Sequence, residues 1–304
     1  MSADAATPSF RRPFAGLAGA IIGVLVLAGA AAPAGAQITT PLHVGARQAI
    51  ADEFGRTLSG SASLTPTECD LVELLWASNS IAYAPALDGT PDPRNAPVLG
   101  GDSRIGSLTS PVLLKPGIFS LAIGGSNRPP SNSKFVVRAF NAPTRDAASF
   151  YGDSELLVTT NNDILVAHIG ATTNAIDPRD TDGDGLNNSW EKSMGSDTNK
   201  WDTDGDGVGD GDEFRAGTGL LDPDSLFIMG GVTPWGDNGL RIEWDSVGGK
   251  TYYVQYSTNN LPDEDSFVDY DGVVTGAPNT TVSHKIVPNG RRLDRVHVRV
   301  RLAE

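Results

Sequence analysis

Short apolar runs, each bounded by glycine, proline or asparagine, recur along residues 37–176. They occupy residues 71–77, 119–123, 134–140 and 155–160. Runs of this length that are rich in aromatic and β-branched side chains predict β-strands, and several in succession favour packed antiparallel sheets. We therefore expect a β-sandwich-like N-terminal domain over residues 37–176. Within it, residues 46–56 have a modest helical spacing, and the glycine- and proline-rich stretch 88–106 predicts a long loop.

The same type of pattern returns near the C-terminus. Apolar and polar residues alternate, or nearly so, in residues 240–244, 251–257 and 296–302. Gly248 and Gly249 separate the first two of these runs and predict a hairpin between them. We expect residues 226–304 to form a small β-sandwich of the fibronectin III type or a similar one.

The intervening stretch, residues 177–225, has too few apolar residues to build a core of its own. Two short helical turns are predicted in it, at residues 189–194 and 210–216, and Gly195 and Gly217 are placed to end them. The predicted fold class is therefore mainly β, with two β-sandwich-like domains joined by an acidic loop segment that contains short helical turns.

This middle segment contains two copies of one acidic pattern, starting at Asp180 and Asp202. Both fit the calcium-loop template D-x-[DN]-x-[DN]-G-x5-E, in which oxygens at positions 1, 3, 5, 7, 9 and 12 surround a hard cation. Gly185 and Gly207 occupy position 6, where the loop turns sharply. The predicted Ca²⁺ ligands are Asp180, Asp182, Asp184, the Leu186 carbonyl, Asn188 and Glu191 in the first loop, and Asp202, Asp204, Asp206, the Val208 carbonyl, Asp210 and Glu213 in the second.

Charge is concentrated in the same segment. Fourteen acidic and four basic residues lie between residues 177 and 225, a net charge of −10 out of −14 for the whole chain. A cation is needed to offset carboxylates crowded in this way. No basic stripe is present to neutralise phosphates, so nucleic acid is excluded as a partner.

The N-terminus has the features of a secretory signal. Arg11 and Arg12 precede an apolar stretch at residues 17–32, and small residues at 34–36 offer a cleavage site before Gln37. Residues 1–36 are therefore predicted to be a signal peptide; the alternative is an uncleaved membrane anchor. No other stretch is apolar enough to span a bilayer, and the single cysteine, Cys69, excludes an internal disulfide.

The second loop, residues 202–212, resembles the bacterial form of the thrombospondin type 3 repeat. Val208, Gly209 and Asp210 match that family at positions 7 to 9, and residues 195–197 are similar to its connector between repeats. The resemblance implies a calcium-binding protein that is secreted by a bacterium or displayed on its surface. It also implies that Asp197 contributes an oxygen to a neighbouring ion. Ser196 departs from the family, which has threonine there.

The function predicted from these features is that of a non-catalytic, modular structural or interaction protein, whose calcium ions rigidify the joint between two β-domains. Its partners would be calcium and an extracellular protein or polysaccharide. Two alternatives stay open: an extracellular hydrolase or its carbohydrate-binding accessory part, and a cell-surface adhesion or matrix component. Aromatic residues aligned on one sheet face would favour carbohydrate binding; the candidates are Trp235, Trp244, Tyr252 and Tyr256.

The hypothesis that the chain is an esterase rests on two features. Gly152-Asp153-Ser154 is similar to the GDS block of one esterase family, and His297 could act as the base. In that family the serine follows a strand and opens a helix, whereas Ser154 precedes a predicted strand. We therefore interpret this match as a coincidence and predict no catalytic residue.

Overall fold

The computed structural model describes residues 40–60, 69–106, 117–160, 164–235, 239–257, 262–276, 282–288 and 296–303. The signal peptide predicted at residues 1–36 lies outside these ranges and stays a prediction. Among the helices of the described residues, none has the length and apolar character to cross a membrane.

The described part of the chain is mainly β, as predicted. Its strands are β1 (Leu42–Ala46), β2 (Leu71–Trp76), β3 (Pro97–Arg104), β4 (Ser120–Ile123), β5 (Lys134–Phe140), β6 (Phe150–Asp153), β7 (Leu157–Val158), β8 (Ile164–Ala167), β9 (Asn174–Ala175), β10 (Met229–Trp235), β11 (Gly239–Asp245), β12 (Thr251–Ser257), β13 (Val268–Thr275), β14 (Val282–Pro288) and β15 (His297–Leu302). The α-helices are α1 (Asn188–Met194) and α2 (Asp210–Ala216). The acidic segment that contains both helices lies between the two groups of strands.

Two sheets form the N-terminal part. The larger has the order β3-β2-β5-β6-β9, with β7 paired to β5, and the smaller has the order β4-β1-β8. Alternate residues of β2 and β5 point toward the smaller sheet, so that Val72, Leu74, Phe135 and Val137 share one core with Leu42 and its neighbours. Burial of this apolar face holds the two sheets together.

The opposite face of the larger sheet contains buried charges. The Arg138 side chain is fully buried and forms a two-pronged ion pair with Asp153, with both N–O distances 2.7 Å. Its Nη2 also donates to the Tyr83 carbonyl at 2.8 Å. Glu73, also fully buried, pairs with Arg145 of the loop after β5. Charges removed from water in this way require partners, so these pairs fix the loops that cover the sheet.

The C-terminal part also has two sheets, ordered β10-β11-β14 and β13-β12-β15. Ile242 and Trp244 of one sheet pack against Tyr252 and Val254 of the other, and all four are fully buried. The hairpin predicted at residues 248–249 is wrong, because β11 and β12 lie in different sheets. The connection between them is an arch, which lets the apolar faces of the two sheets meet. Alternation of apolar and polar residues predicts a strand but does not predict which strand pairs with it.

Two further expectations for the N-terminal part are wrong. Residues 46–56 form no helix: the Ile50 N–H donates to the Gly117 carbonyl and the Ala51 N–H to the Gly170 carbonyl, so tertiary hydrogen bonds replace helical ones. Residues 88–106 are not a continuous loop, because strand β3 occupies residues 97–104 and pairs with β2. Hydrogen bonding to β2 stabilises a strand here, although the local glycine content disfavours one.

Candidate metal centre

The structure brings the acidic side chains of each loop together. Carboxylate oxygens of Asp180, Asp182 and Asp184 all lie within 4.8 Å of one another. The corresponding three residues of the second loop, at 202, 204 and 206, form a second cluster by the same measure. We call these clusters, together with the glutamate that follows each, the first site and the second site.

Each loop is shaped by hydrogen bonds from its own backbone to its first carboxylate. Asp180 accepts from the Gly183 N–H at 2.7 Å and from the Gly185 N–H at 3.0 Å. Asp202 accepts at 2.7 and 2.9 Å from the N–H groups of the corresponding glycines, 205 and 207. Gly185 has a φ of 91°, in the left-handed region that favours glycine, which explains the residue type at position 6.

A short helix then turns the last predicted ligand back toward each cluster. In α1 the Asn187 side chain accepts from the Trp190 N–H, which caps the helix, and Gly195 ends it with a φ of 88°. Each glutamate lies three residues after the first residue of its helix. Glu191 is 0% exposed and Glu213 is 1% exposed. The helical turns and glycine stops predicted from the sequence are confirmed.

Several buried carboxylate oxygens have no hydrogen-bond partner among the described residues. In the first site they are both oxygens of Glu191 and Oδ2 of Asp182. In the second site they are one oxygen each of Asp204, Asp206 and Glu213. Burial of an unpartnered carboxylate is strongly unfavourable, whereas coordination to a cation removes the penalty. Both sites therefore have the donor set that a hard metal ion requires.

The electrostatics of the two sites agree with this. Burial, followed by the charges of Asp182 and Asp184, raises the pKa of Glu191 to about 7. Burial likewise raises the pKa of Glu213 to about 7, with the second aspartate cluster adding to the effect. Each glutamate is thus held where its charge is disfavoured unless positive charge is supplied.

The side chains at position 9 accept hydrogen bonds from the threonine at position 2 of their loop. The Asn188 Oδ1 accepts from the Thr181 N–H at 3.2 Å. Asp210 accepts from the N–H and the hydroxyl of Thr203, at 2.8 and 2.7 Å. Both side chains therefore brace the start of their loop. Asp197 is exposed, and its Oδ1 accepts from the Asn199 N–H at 3.2 Å.

The two loops also contact each other through a residue that the sequence analysis did not single out. The Gly211 N–H, in the first turn of α2, donates to Asp184 Oδ2 at 2.8 Å. A Cβ on Gly211 would lie 2.4 Å from the Asp184 carbonyl oxygen. Only glycine allows this approach, and its place immediately after position 9 was the available signal.

The first repeat is docked on the N-terminal sheets. Trp190 contacts the rings of Phe54 and Phe150. Lys192 Nζ donates to the carbonyls of Asp146 and Ala148, at 2.6 and 2.8 Å. These contacts tie the position of the helix to the larger sheet and to the loops beside it.

On the other side, the end of α2 contacts the C-terminal sheets. Lys250 Nζ donates to the Arg215 carbonyl at 2.7 Å. A Cβ on Gly217 would lie 3.1 Å from side-chain atoms of Lys250 and Val247, so this glycine sits directly against the arch after β11. The acidic segment thus contacts the strands on both sides of it.

Ser154, the candidate nucleophile, is held in hydrogen bonds with the backbone. The Ser154 Oγ is buried, accepts from the Val137 N–H at 2.9 Å and donates to the Glu155 carbonyl at 2.8 Å. Its hydroxyl is therefore already engaged in fixing the backbone. A nucleophilic serine needs a hydrogen-bonded base instead.

The aromatic residues considered for carbohydrate binding are not aligned on one face. Trp244 and Tyr252 are fully buried in the C-terminal core, and Trp235 is 50% exposed on β10. Tyr256 is partly buried and packs edge-on against Tyr270. Core packing thus accounts for most of this set.

Comparison with known proteins agrees with the geometry of the middle segment. Residues 180–200 and 202–218 match the family model of the bacterial TSP3 repeat, TSP3 being thrombospondin type 3. The chain thus carries two thrombospondin type 3-like repeats between its groups of strands.

Beyond the repeats, the comparisons add little. No curated protein matches the chain. One similar solved structure, "Biofilm associated protein - BSP domain", is 14% identical over 84% of this chain, with a TM-score of 0.20. The match spans 47% of that solved chain, or about half its length. At this TM-score the likeness carries no argument about fold or function.

Proposed function

We propose that this chain is an extracellular calcium-binding structural protein, in which two ions fix the segment that joins two β-domains. The observation that carries the proposal is the pair of buried glutamates, Glu191 and Glu213, which have unpartnered oxygens and interact electrostatically with the aspartate clusters. The proposed domains span residues 37–176 and 226–304, with the repeats at 177–225. Export by the signal peptide at residues 1–36 is part of the proposal.

Calcium suits these sites better than other common metals. Each cluster offers carboxylate oxygens, the ligands that calcium prefers, and the charge of the site favours a divalent cation. Structural zinc would require thiolate or imidazole ligands. The full ligand sets predicted from the sequence, including Asn188, Asp210 and Asp197, are retained as a proposal, with the first two acting directly or through water.

The stiffening role follows from what the repeats contact. The first helix is docked on the N-terminal sheet through Trp190 and Lys192, and the second contacts the arch of the C-terminal domain through Gly217. The loops between these contacts have little apolar core, so metal binding supplies free energy that the segment needs to hold its shape. Calcium would therefore fix how the flanking domains are joined.

Calorimetric titration of the full chain with calcium tests the proposal. Two ions per chain are expected, and one in either single variant, Glu191→Gln or Glu213→Gln. Asp212→Asn is the matched control: this carboxylate lies in α2 next to Glu213, but it is 68% exposed and pairs with Arg215. Binding of fewer than one ion at millimolar calcium would contradict the proposal.

Limited proteolysis tests the stiffening role separately. With calcium, cleavage within residues 177–225 should be slow; with a chelator it should become fast while the flanking β-domains stay intact. Equal cleavage rates in the two conditions would show that the ions do not rigidify the joint.

A further inference from the structure

The two glutamates that close the sites differ in how many oxygens they leave available. Both oxygens of Glu191 lack a hydrogen-bond partner among the described residues. In Glu213 only Oε2 does, because the Thr218 hydroxyl donates to Oε1 at 3.2 Å. The two side chains are otherwise equivalent, at the same helix position and fully buried.

The difference originates in one pair of residues just beyond the helices. Ser196 and Thr218 both follow the glycine that ends their helix, and both donate a backbone N–H at 3.1 Å to the carbonyl of their glutamate. Thr218 adds the side-chain hydrogen bond, whereas the Ser196 Oγ is buried and makes none within the described structure. The first site therefore lacks this side-chain hydrogen bond, which leaves both oxygens of Glu191 without a donor.

At position 5 it is the aspartate of the second site, and not that of the first, that has an oxygen without a hydrogen-bond partner. Asp184 has both oxygens engaged, Oδ1 by the Leu186 N–H and Oδ2 by the Gly211 N–H. In Asp206 the Oδ1 accepts from the Val208 N–H, but Oδ2 is buried without a partner. No third loop follows to donate the equivalent hydrogen bond. The second site is therefore built around separate single oxygens, and the first around a glutamate with two.

We propose, on the basis of the calcium binding proposed above, that the two sites select ions differently because the Thr218 hydroxyl disfavours coordination of one ion through both oxygens of Glu213. A hydrogen-bonded carboxylate oxygen can still be a ligand, as proposed for Asp180, but the Thr218 hydroxyl makes Oε1 a weaker second ligand. A glutamate that coordinates through both oxygens gives the high coordination number that calcium accepts and octahedral magnesium does not. The first site therefore discriminates strongly for calcium. The second site, with one glutamate oxygen, binds magnesium almost as readily as calcium.

The test is calorimetric titration of the full chain with calcium and with magnesium. Glu213→Gln leaves the first site to be measured alone, and Glu191→Gln leaves the second. The ratio of magnesium to calcium dissociation constants should be larger at the first site by about tenfold or more, the range in which residues that orient metal ligands act. In the Glu191→Gln background, Thr218→Val should raise the ratio of the second site by about the same factor.

Two variants make the result specific. Ser196→Ala in the Glu213→Gln background loses no hydrogen bond and should leave the first site unchanged. Thr218→Ser retains the hydroxyl and should keep the low ratio of the second site. Equal ratios at the two sites, or a Thr218→Val variant with an unchanged ratio, would overturn the inference while calcium binding stands. An absence of calcium binding in the unmodified chain would instead contradict the proposed function.

Discussion

The indole ring of Trp190 lies 4.9 Å, centroid to centroid, from the ring of Phe150, at an interplanar angle of 62°. Trp190 belongs to the helix of the first repeat and Phe150 to strand β6 of the N-terminal sheet. Phe214 of the second repeat lies on the same indole, also at 4.9 Å. One side chain therefore packs both repeats onto the N-terminal sheets.

Replacement of Trp190 should loosen this junction. Trp190→Ala removes the ring contacts to Phe150 and Phe214, and we expect it to lower the free energy of unfolding by about 3 kcal/mol at saturating calcium. Urea unfolding measures the change. Trp201→Ala is the matched control, because Trp201 lies in the same segment but is 54% exposed; it should change stability by no more than about 0.5 kcal/mol. Equal effects of the two variants would contradict the role of Trp190.

Gly211 is expected to couple the two repeats. A methyl group at this position would lie 2.4 Å from the Asp184 carbonyl oxygen, so Gly211→Ala must separate α2 from the first loop and break the hydrogen bond to Asp184. We expect calcium affinity at the first site to fall at least about tenfold. Calorimetry in the Glu213→Gln background measures that site alone.

The control for this variant is Gly230→Ala in β10, where the nearest atoms to a new Cβ lie 3.7 Å away, in Glu243. It should bind calcium normally. An unchanged affinity in Gly211→Ala would show that the repeats bind their ions independently.

The loops and the helix ends were predictable from the sequence, because both are set by local chemistry. Glycine with a left-handed backbone at position 6 and at the end of each helix leaves few alternatives. The place of Gly211 after position 9 marked it as special, but neither its partner Asp184 nor the packing of Trp190 was predictable, since each contact joins residues far apart in the chain. For the same reason, alternation located β11 and β12 but did not assign them to different sheets.

Calcium binding should weaken on acidification. Burial and the neighbouring aspartates raise the pKa of Glu191 and of Glu213 to about 7 in the absence of metal, so protons compete with calcium below that pH. We expect tighter binding at pH 8 than at pH 5.5, with proton release detected by calorimetry in buffers of different ionisation enthalpy. Affinity that does not vary between these pH values would contradict the assignment of the glutamates as ligands.

The metal-free chain should show the opposite trend in stability. A carboxyl whose folded pKa is raised stabilises the fold below its unfolded pKa, near 4.5, and this contribution is lost as pH rises through about 7. In chelator, Glu191 and Glu213 therefore favour the folded state at pH 5 over pH 8. The double variant Glu191→Gln, Glu213→Gln should reduce this difference in thermal unfolding experiments.

The ion pair of the buried Glu73 with the partly exposed Arg145 is expected to hold the loop on which the first repeat is docked. That loop also presents the Asp146 and Ala148 carbonyls to Lys192. Arg145→Met leaves Glu73 buried without its cation, and we expect a loss of about 3 kcal/mol in urea unfolding. Arg56→Met removes a comparable but surface ion pair, with the Arg56 side chain 71% exposed, and should cost less than about 1 kcal/mol. Similar losses in both variants would show that burial of Glu73 is unimportant.

Asp70 is expected to make the stability of the chain depend on pH. It precedes β2, is 5% exposed and accepts from the Ser59 N–H at 2.6 Å. Burial, reinforced by the charges of Asp52 and Glu53, raises its pKa to about 6. The stabilising contribution of its neutral form is complete below its unfolded pKa, near 4, and is lost as pH rises through 6.

Asp70→Asn keeps an acceptor for the Ser59 N–H and stays neutral at every pH. It should match the unmodified chain at pH 4 and be more stable at pH 8, by roughly 2 kcal/mol for a shift of this size. Urea unfolding across this range measures the difference between the two chains, so other titrating groups cancel. Asp265→Asn, at an exposed site in the C-terminal domain, should show no such divergence. If the Asp70→Asn curve runs parallel to that of the unmodified chain, then Asp70 is ionised at the same cost in the folded and unfolded states, and burial does not govern its titration.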